Sequence, residues 1–415
     1  MKFFKWLYPG IGIKRWVILA VFGIGMMVIV GFSAVKSIAQ HSVLLASFAT
    51  AFLMVGIFLV YTSLKQIVRI FVRALMPLAQ DDLVNIVYQS RKRDYLARGP
   101  RVVAIGGGTG LSVLLSGIKM FTNNITAIVT VTDTGGSSGR LRDELDILPP
   151  GDIRNCLVAL ADAEPLIRDL FQYRFTEGQG LKGHSFGNLF ITALSMVTGD
   201  FEKAIRESSK VLAIRGRVLP STLDKVTLVG QFKDGSTAEG ETSITAVRKP
   251  LRRIQLKPEN ARATEEVIEA LETAELIIMG PGSLYTSIIP NLLIKDIRDG
   301  ILESDAYKIF VINVMTQPGE TEHFTAADHI QTLIEHTDPR IVDACFVNVQ
   351  KIPKELLDKY HEKESFPVEN NISKIKSMGY EIIGREVLKL DEQIRHDPVK
   401  LAKALFDQYF EVLKK

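Results

Sequence analysis

Two short stretches, RVVAIGGGTG (101–110) and AELIIMGPGSLYTS (274–287), set a β-branched apolar run directly against glycines and then a helix-forming segment. An apolar run without polar alternation suits a strand covered on both faces. A strand that halts on glycines where a helix starts is the unit of a doubly wound sheet. ITAIVTV (125–131), YKIFVINV (307–314) and IVDACFVNV (341–349) supply more strands of this kind, separated by amphipathic segments. Residues 99–415 therefore read as one α/β domain built on a doubly wound, mostly parallel sheet. KVTLVGQFKDGSTAEGETSI (225–244) alternates around Lys-Asp-Gly instead and reads as a β-hairpin inserted in that domain.

The N-terminal hundred residues obey other rules. Val17 to Val35 carries no charged residue, nor does Ser37 to Leu64, and each can cross roughly 30 Å of hydrocarbon as a helix. Residues 16–64 thus form an integral hairpin of two membrane spans, with KSIAQHS (36–42) as its link. Lys2, Lys5, Lys14 and Arg15 precede the first span; Lys65, Arg69, Arg73, Arg91, Lys92 and Arg93 follow the second; the link carries only Lys36. This asymmetry puts both ends, and hence the large domain, in the cytoplasm, with residues 1–15 as a cytoplasmic N-terminus. A cleaved signal peptide is the alternative for the first run, but no small-residue cleavage site precedes the second. Residues 65–98 read as a juxtamembrane helical linker. Ile67, Ile70, Phe71 and Ala74 share one face with basic residues between them, which suits either a continuation of the span or a helix lying on the membrane surface.

Fifty basic residues against 47 acidic ones leave a net charge of +3, too balanced for a nucleic-acid partner. Cys156 and Cys345 form no C-x-x-C pair and read as reduced, buried thiols. The histidines are dispersed without metal-ligand spacing, so no metal site is called, and no G-x-S-x-G elbow supports nucleophilic hydrolysis.

In doubly wound folds ligands bind beyond the carboxyl ends of the strands. Three glycine loops follow strands there: Gly106 to Gly110 with Thr109, Gly135 to Gly139, and Gly280 to Ser283. Gly106, Gly107, Gly108 and Gly110 offer G-x-G-x-x-L, short of the full dinucleotide fingerprint, and no Gly-Lys-Ser/Thr follows. Gly135, Gly136, Ser137 and Ser138 bring amide and hydroxyl donors, with Arg140 beside them. Asp133, at a strand end, stands where a ribose or metal is met. PPGDIRN reads as a helix start capped by Asp152, with Arg154 and Asn155 in the first turn. GHSFGNL presents His184 and Asn188 as ligand contacts, His184 not as a base. Gly280, Gly282, Ser283 and Tyr285 suit a phosphate or ribose, and Asn313 and Thr316 a sugar or base edge. No catalytic residue is assigned.

Taken in order, AIGGGTGLSVLLSGIK, TAIVTVTDTGGSSGRLRDELDILPPGDIRNCLVAL, GHSFGNL, VLPST, GPGSLYTSIIPNLL and NVMTQPGETEHFTAADH resemble the YvcK family of bacterial gluconeogenesis-factor-like proteins across nearly all of 100–415. That family shares a Rossmann-like fold with the CofD phospholactate transferases. The resemblance implies a UDP-sugar ligand, chiefly UDP-N-acetylglucosamine, and no required cofactor. It further implies a regulator that links carbon supply to peptidoglycan precursor synthesis and cell shape; the two spans, additional to the family's minimal soluble form, put it at the bacterial cytoplasmic membrane. A protein partner in cell-wall precursor synthesis is expected, and self-association is left open. Family ligand contacts map onto Tyr360 and Arg395. Family members commonly carry Asp-Asp-Gly-Gly where this chain has Asp133-Thr134-Gly135-Gly136; one Asp and one Thr hold Mg2+ less well than two carboxylates. A CofD-like transferase moving a phosphate-bearing group is the alternative function. An NAD(P)-dependent oxidoreductase fits only the first glycine loop.

Overall fold

An uncharged apolar segment satisfies its backbone amides most simply as a helix, and both N-terminal runs do so. In the computed structural model, which describes residues 13–40, 43–75, 91, 94–390 and 393–414, they form α1 (Ile13–Gln40) and α2 (Val43–Leu75). Most of the expected link is therefore helical, while residues 41–42 lie outside the described residues. So do 1–12 and 76–90, and with them most of the expected N-terminal segment and part of the linker; residues 65–75 continue α2. The helices touch where small residues let the backbones approach: a Cβ on Gly23 would lie 3.0 Å from the Gly56 carbonyl oxygen. Both are long and apolar enough to cross a membrane, over Arg15–Phe32 and Ala49–Ile70. Of each of these windows 11% is buried.

Residues 1–93 and 94–415 form two separate units. The second begins with β1 (Val102–Gly106), α3 (Gly108–Ile118), β2 (Ile125–Val129), α4 (Gly136–Leu145), α5 (Gly151–Leu160), α6 (Pro165–Gln172), α7 (Phe186–Thr198) and α8 (Phe201–Val211). Next come β3 (Arg217–Pro220), β4 (Thr227–Phe232), β5 (Thr237–Glu239), α9 (Glu241–Val247), β6 (Leu251–Lys257), α10 (Glu265–Glu272) and β7 (Leu276–Met279). A π turn at Leu284–Ile288 leads into α11 (Ile289–Leu293), α12 (Lys295–Glu303), β8 (Tyr307–Val311), α13 (Ala326–His336) and β9 (Ala344–Asn348). The chain closes with α14 (Lys354–His361), α15 (Ile372–Ser377), β10 (Glu381–Arg385), β11 (Leu388–Leu390), β12 (Ile394–His396) and α16 (Pro398–Val412).

The main sheet runs β10-β9-β8-β7-β1-β2-β3, and every neighbouring pair in it is parallel. Val102 sits beside Ile125 on one side and Leu276 on the other. Every residue of β1 is buried, and α3 covers it with Leu111, Leu114, Leu115 and Ile118, all fully buried at helical spacing. The inserted hairpin is β4–β5, and β6 adds a third strand to it on the other side of β4. Both cysteines are buried and free. The chain proceeds from β1 outward to β2 and β3, then returns to the other flank of β1 as β7 and runs outward to β10. Strand order reverses between β1 and β7, and the site lies there.

Candidate functional site

Where strand order reverses, the two following loops diverge and open a crevice. Gly106 ends β1 and Gly280 follows β7. The two loops touch: a Cβ on Gly110 would lie 2.3 Å from the Pro281 carbonyl oxygen. Between them opens a cleft of about 580 Å³. Gly107, Gly108, Thr109 and Gly110 line it from the first loop, Gly282 and Ser283 from the third, and Asn313 and Thr316 from the loop after β8. Tyr360 and Arg395 close it from the C-terminal segments. Gly107, the residue before α3, provides no side-chain cap; the Asp152 carboxylate takes the Gly108 amide, which leaves the Thr109 and Gly110 amides for an anion.

Several of these residues shape the walls. Asn313 grips Gly282 on both sides, accepting its N–H at 3.1 Å and donating to its carbonyl at 2.7 Å. Thr316 donates its amide to the Phe366 carbonyl and accepts the Phe366 N–H. Ser283 donates its hydroxyl to the buried Glu320 carboxyl. Tyr360, on α14, accepts the Ile394 N–H at 2.8 Å and so clamps the strand that carries Arg395. Tyr285 lines neither this cleft nor its neighbour. It is 2% exposed, edge-on to Phe324 and His336: a core residue.

The second glycine loop does not line this cleft. Asp133 accepts the Gly135 N–H at 2.7 Å, and α4 starts on Gly136. Ser137 bonds His184 Nδ1 at 3.0 Å and accepts from Asn188 Nδ2 at 3.1 Å, all three buried. Burial, then the charge of Arg140, holds the His184 imidazole below its ordinary pKa. Arg140 itself donates to the Lys182 carbonyl. Ser138 Oγ and Asp133 Oδ2 lie 2.2 and 3.0 Å from where a Cβ on Gly151 would stand.

Asp152 corrects the expectation of a helix cap. Pro150 takes that position, and Asp152 lies inside the first turn of α5. Its carboxylate turns to the first glycine loop instead, where it accepts the Gly108 amide. Burial, then the neighbouring Asp133, lifts its pKa to about 7. Glu241, at the start of α9, is raised to about 8 by burial, then by Asp133 and Asp152. No sequence pattern marks Glu241, because the inserted hairpin alone carries it into contact with loops far along the chain. Thr134, which replaces the second carboxylate of the resembled motif, shares its hydroxyl with Thr242. Among the described residues no group of three metal-binding side chains forms.

The folded state keeps the Asp152 proton up to about pH 7, whereas an unfolded Asp releases it near pH 4. Between those values the folded protein binds the extra proton, so stability falls as pH rises and levels off above about 7. Asp152→Asn, which still accepts the Gly108 amide, removes that penalty, worth on the order of a few kcal/mol. Its Tm is expected to exceed the parent's near pH 8 and to match it near pH 4. Equal differences at both pH values, by scanning calorimetry, would refute the buried acid.

Arg154 and Asn155, in the first turn of α5, line a second cleft that meets the first at Thr109, Val113 and Arg395.

A parallel doubly wound sheet with glycine loops at its point of reversal is a Rossmann-like architecture. The family model described as 2-phospho-L-lactate transferase CofD matches residues 102–388. A gluconeogenesis factor of Bacillus subtilis is 48% identical, covering 75% of this chain and 99% of that protein. A gluconeogenesis-factor relative from Clostridium acetobutylicum is 43% identical over 98% of this chain and 92% of its own length, a span that takes in the apolar hairpin. A crystal structure of a UPF0052-family protein from Bacillus halodurans matches with a TM-score of 0.72 at 45% identity, covering 74% of this chain and 99% of that one. The chain belongs to the CofD-like gluconeogenesis factor family, the YvcK family.

Proposed function

We propose that this protein is a membrane-tethered regulator whose ligand is a UDP-sugar, UDP-N-acetylglucosamine foremost, and that it couples carbon supply to peptidoglycan precursor synthesis and cell shape. One observation carries the ligand reading. Tyr360 and Arg395, far apart in sequence and outside the glycine loops, join those loops in one cleft and are linked through Ile394. The Thr109 and Gly110 amides at the start of α3 and the Arg395 guanidinium suit a diphosphate. The polar wall of Asn313, Gln317 and Ser365 suits a sugar or a base. A cleft of this volume accommodates one such ligand. Regulation requires that the ligand favour one conformation over another, read by a protein partner; self-association offers a further surface for that change. The two bare apolar helices, with the basic residues that flank them, support multi-pass anchoring in the cytoplasmic membrane with the large domain in the cytoplasm.

Calorimetric titration with UDP-N-acetylglucosamine, UDP-glucose, NADPH and GTP, with and without Mg2+, tests the ligand. Selective binding of a UDP-sugar left chemically unchanged is the expected result; preference for NADPH would refute it. Retention in the membrane pellet through alkaline carbonate extraction, lost when residues 1–75 are removed, tests the anchor.

The alternative, a CofD-like transferase, draws on Asp152. A buried carboxyl with a pKa of about 7 beside the phosphate loop can take a proton from an acceptor hydroxyl at neutral pH. Asp133 would be the carboxylate left to meet Mg2+ beside a phosphate, one ligand where two carboxylates would hold it better. Magnesium-dependent turnover of GTP in the same titration would move the assignment to this reading.

A further inference from the structure

The second cleft, of about 690 Å³, is lined by Lys119, Arg154, Arg168, Arg174 and Arg395, with Asp169 as the acidic residue on its wall. Among the described residues, none of these five cations is in an ion pair with a carboxylate. Arg154 is 9% exposed, and its Nε has no hydrogen-bond partner; the buried Nε of Arg168 has none either. The remaining polar contacts of the group are made to neutral oxygens. Arg154 Nη2 donates to Asn155 Oδ1 at 2.7 Å, Lys119 Nζ to the Ala161 carbonyl at 2.9 Å, and Arg174 Nη1 to the Gly183 carbonyl at 2.5 Å. Burial, then the charge of Arg174, disfavours the Arg154 cation against the opposing pull of Asp152 and Asp133. Burial likewise lowers the Lys119 pKa, with Arg215 and Arg168 adding to it against Asp162. Desolvated cations crowded together without a directly paired carboxylate are costly, and an anion placed among them relieves that cost.

We propose that this cleft binds the phosphate group of a small phosphorylated metabolite, at a site distinct from the nucleotide-sugar cleft and joined to it through Thr109, Val113 and Arg395. Guanidinium planes from α5 and α6 would clasp the phosphate oxygens, with Lys119 as a point charge behind them. The cleft exceeds what a bare phosphate fills, so a sugar or polyol phosphate suits it. Arg395 faces both clefts and reports the occupancy of one to the other. The inference stands on the cluster itself, whichever nucleotide the first cleft takes.

The test titrates the full-length protein in mild detergent with inorganic phosphate, with glucose 6-phosphate and, separately, with UDP-N-acetylglucosamine. The expected result is saturable binding of glucose 6-phosphate, about tenfold weaker in Arg168→Gln, the loss of one charge-assisted contact. UDP-N-acetylglucosamine affinity stays unchanged in that variant. Arg154→Gln should act alike; if its melting temperature collapses, Arg168→Gln and Arg174→Gln carry the test. Absence of binding by either phosphate probe overturns the proposal, as does equal affinity in Arg168→Gln. Phosphate binding that resists Arg168→Gln but is lost in Lys363→Gln, a residue of the first cleft alone, overturns it too. Failure of the UDP-sugar arm with the phosphate arm intact would sink the proposed ligand of the first cleft and leave this one standing.

Discussion

Gly110→Ala is expected to destabilise the protein by about 2 kcal/mol or more and to abolish nucleotide-sugar binding. Two effects compete at this position. Gly110 lies inside α3, where alanine gains roughly 1 kcal/mol of helix propensity over glycine. Against that, its Cβ would stand 2.3 Å from the Pro281 carbonyl oxygen and 2.9 Å from Gly282 Cα. These are backbone atoms of the third loop, and that loop is held in place by the paired bonds from Asn313 to Gly282. No side-chain rotation relieves the contact, so the loops that form the cleft must part and the steric cost exceeds the propensity gain. Denaturant unfolding and calorimetry on the purified variant check both halves. An alanine variant more stable than the parent, with ligand affinity intact, would show that the loops do not meet as described.

What could be read from the sequence follows from how each segment is covered. β1, β2, β7, β8 and β9 are flanked on both sides in the sheet and nearly continuously apolar, so they stand out as strands. The edge strands do not: β3 is four residues ending in Pro220, and β10 opens on Glu381 with only Ile383 fully buried. The glycine loops were legible because a strand–glycine–helix junction has one place in a doubly wound sheet. Local pattern misjudged two side chains beside them. Asp152 looked like a cap but serves the neighbouring loop, and Tyr285 looked like a ligand contact but fills the core. Tyr360 and Arg395 had no local signal at all, since α14 and the β11–β12 pair reach the cleft from beyond the sheet's own loops. Only family resemblance pointed to them. The acid group of Asp133, Asp152 and Glu241, like the basic cleft, is assembled from separate elements and becomes visible only in three dimensions.

Arg395→Ala is expected to weaken UDP-N-acetylglucosamine binding by roughly 10- to 100-fold, the loss of a charge-assisted contact to a phosphate. The informative companion is Tyr360. Its hydroxyl accepts the backbone N–H of Ile394, immediately before Arg395, so it can act by fixing where the guanidinium sits. Tyr360→Phe keeps the ring and removes only that bond, about 1 kcal/mol or about fivefold in affinity if positioning is its role. The two residues then work as one unit, and the double variant Tyr360→Phe with Arg395→Ala should lose little more than Arg395→Ala alone. A tyrosine that instead presses its ring against the ligand predicts the opposite: Tyr360→Phe binds like the parent, Tyr360→Ala binds poorly, and the losses at the two sites add. A four-protein calorimetric cycle separates these outcomes. Full affinity in Arg395→Ala would remove the guanidinium from the ligand site altogether.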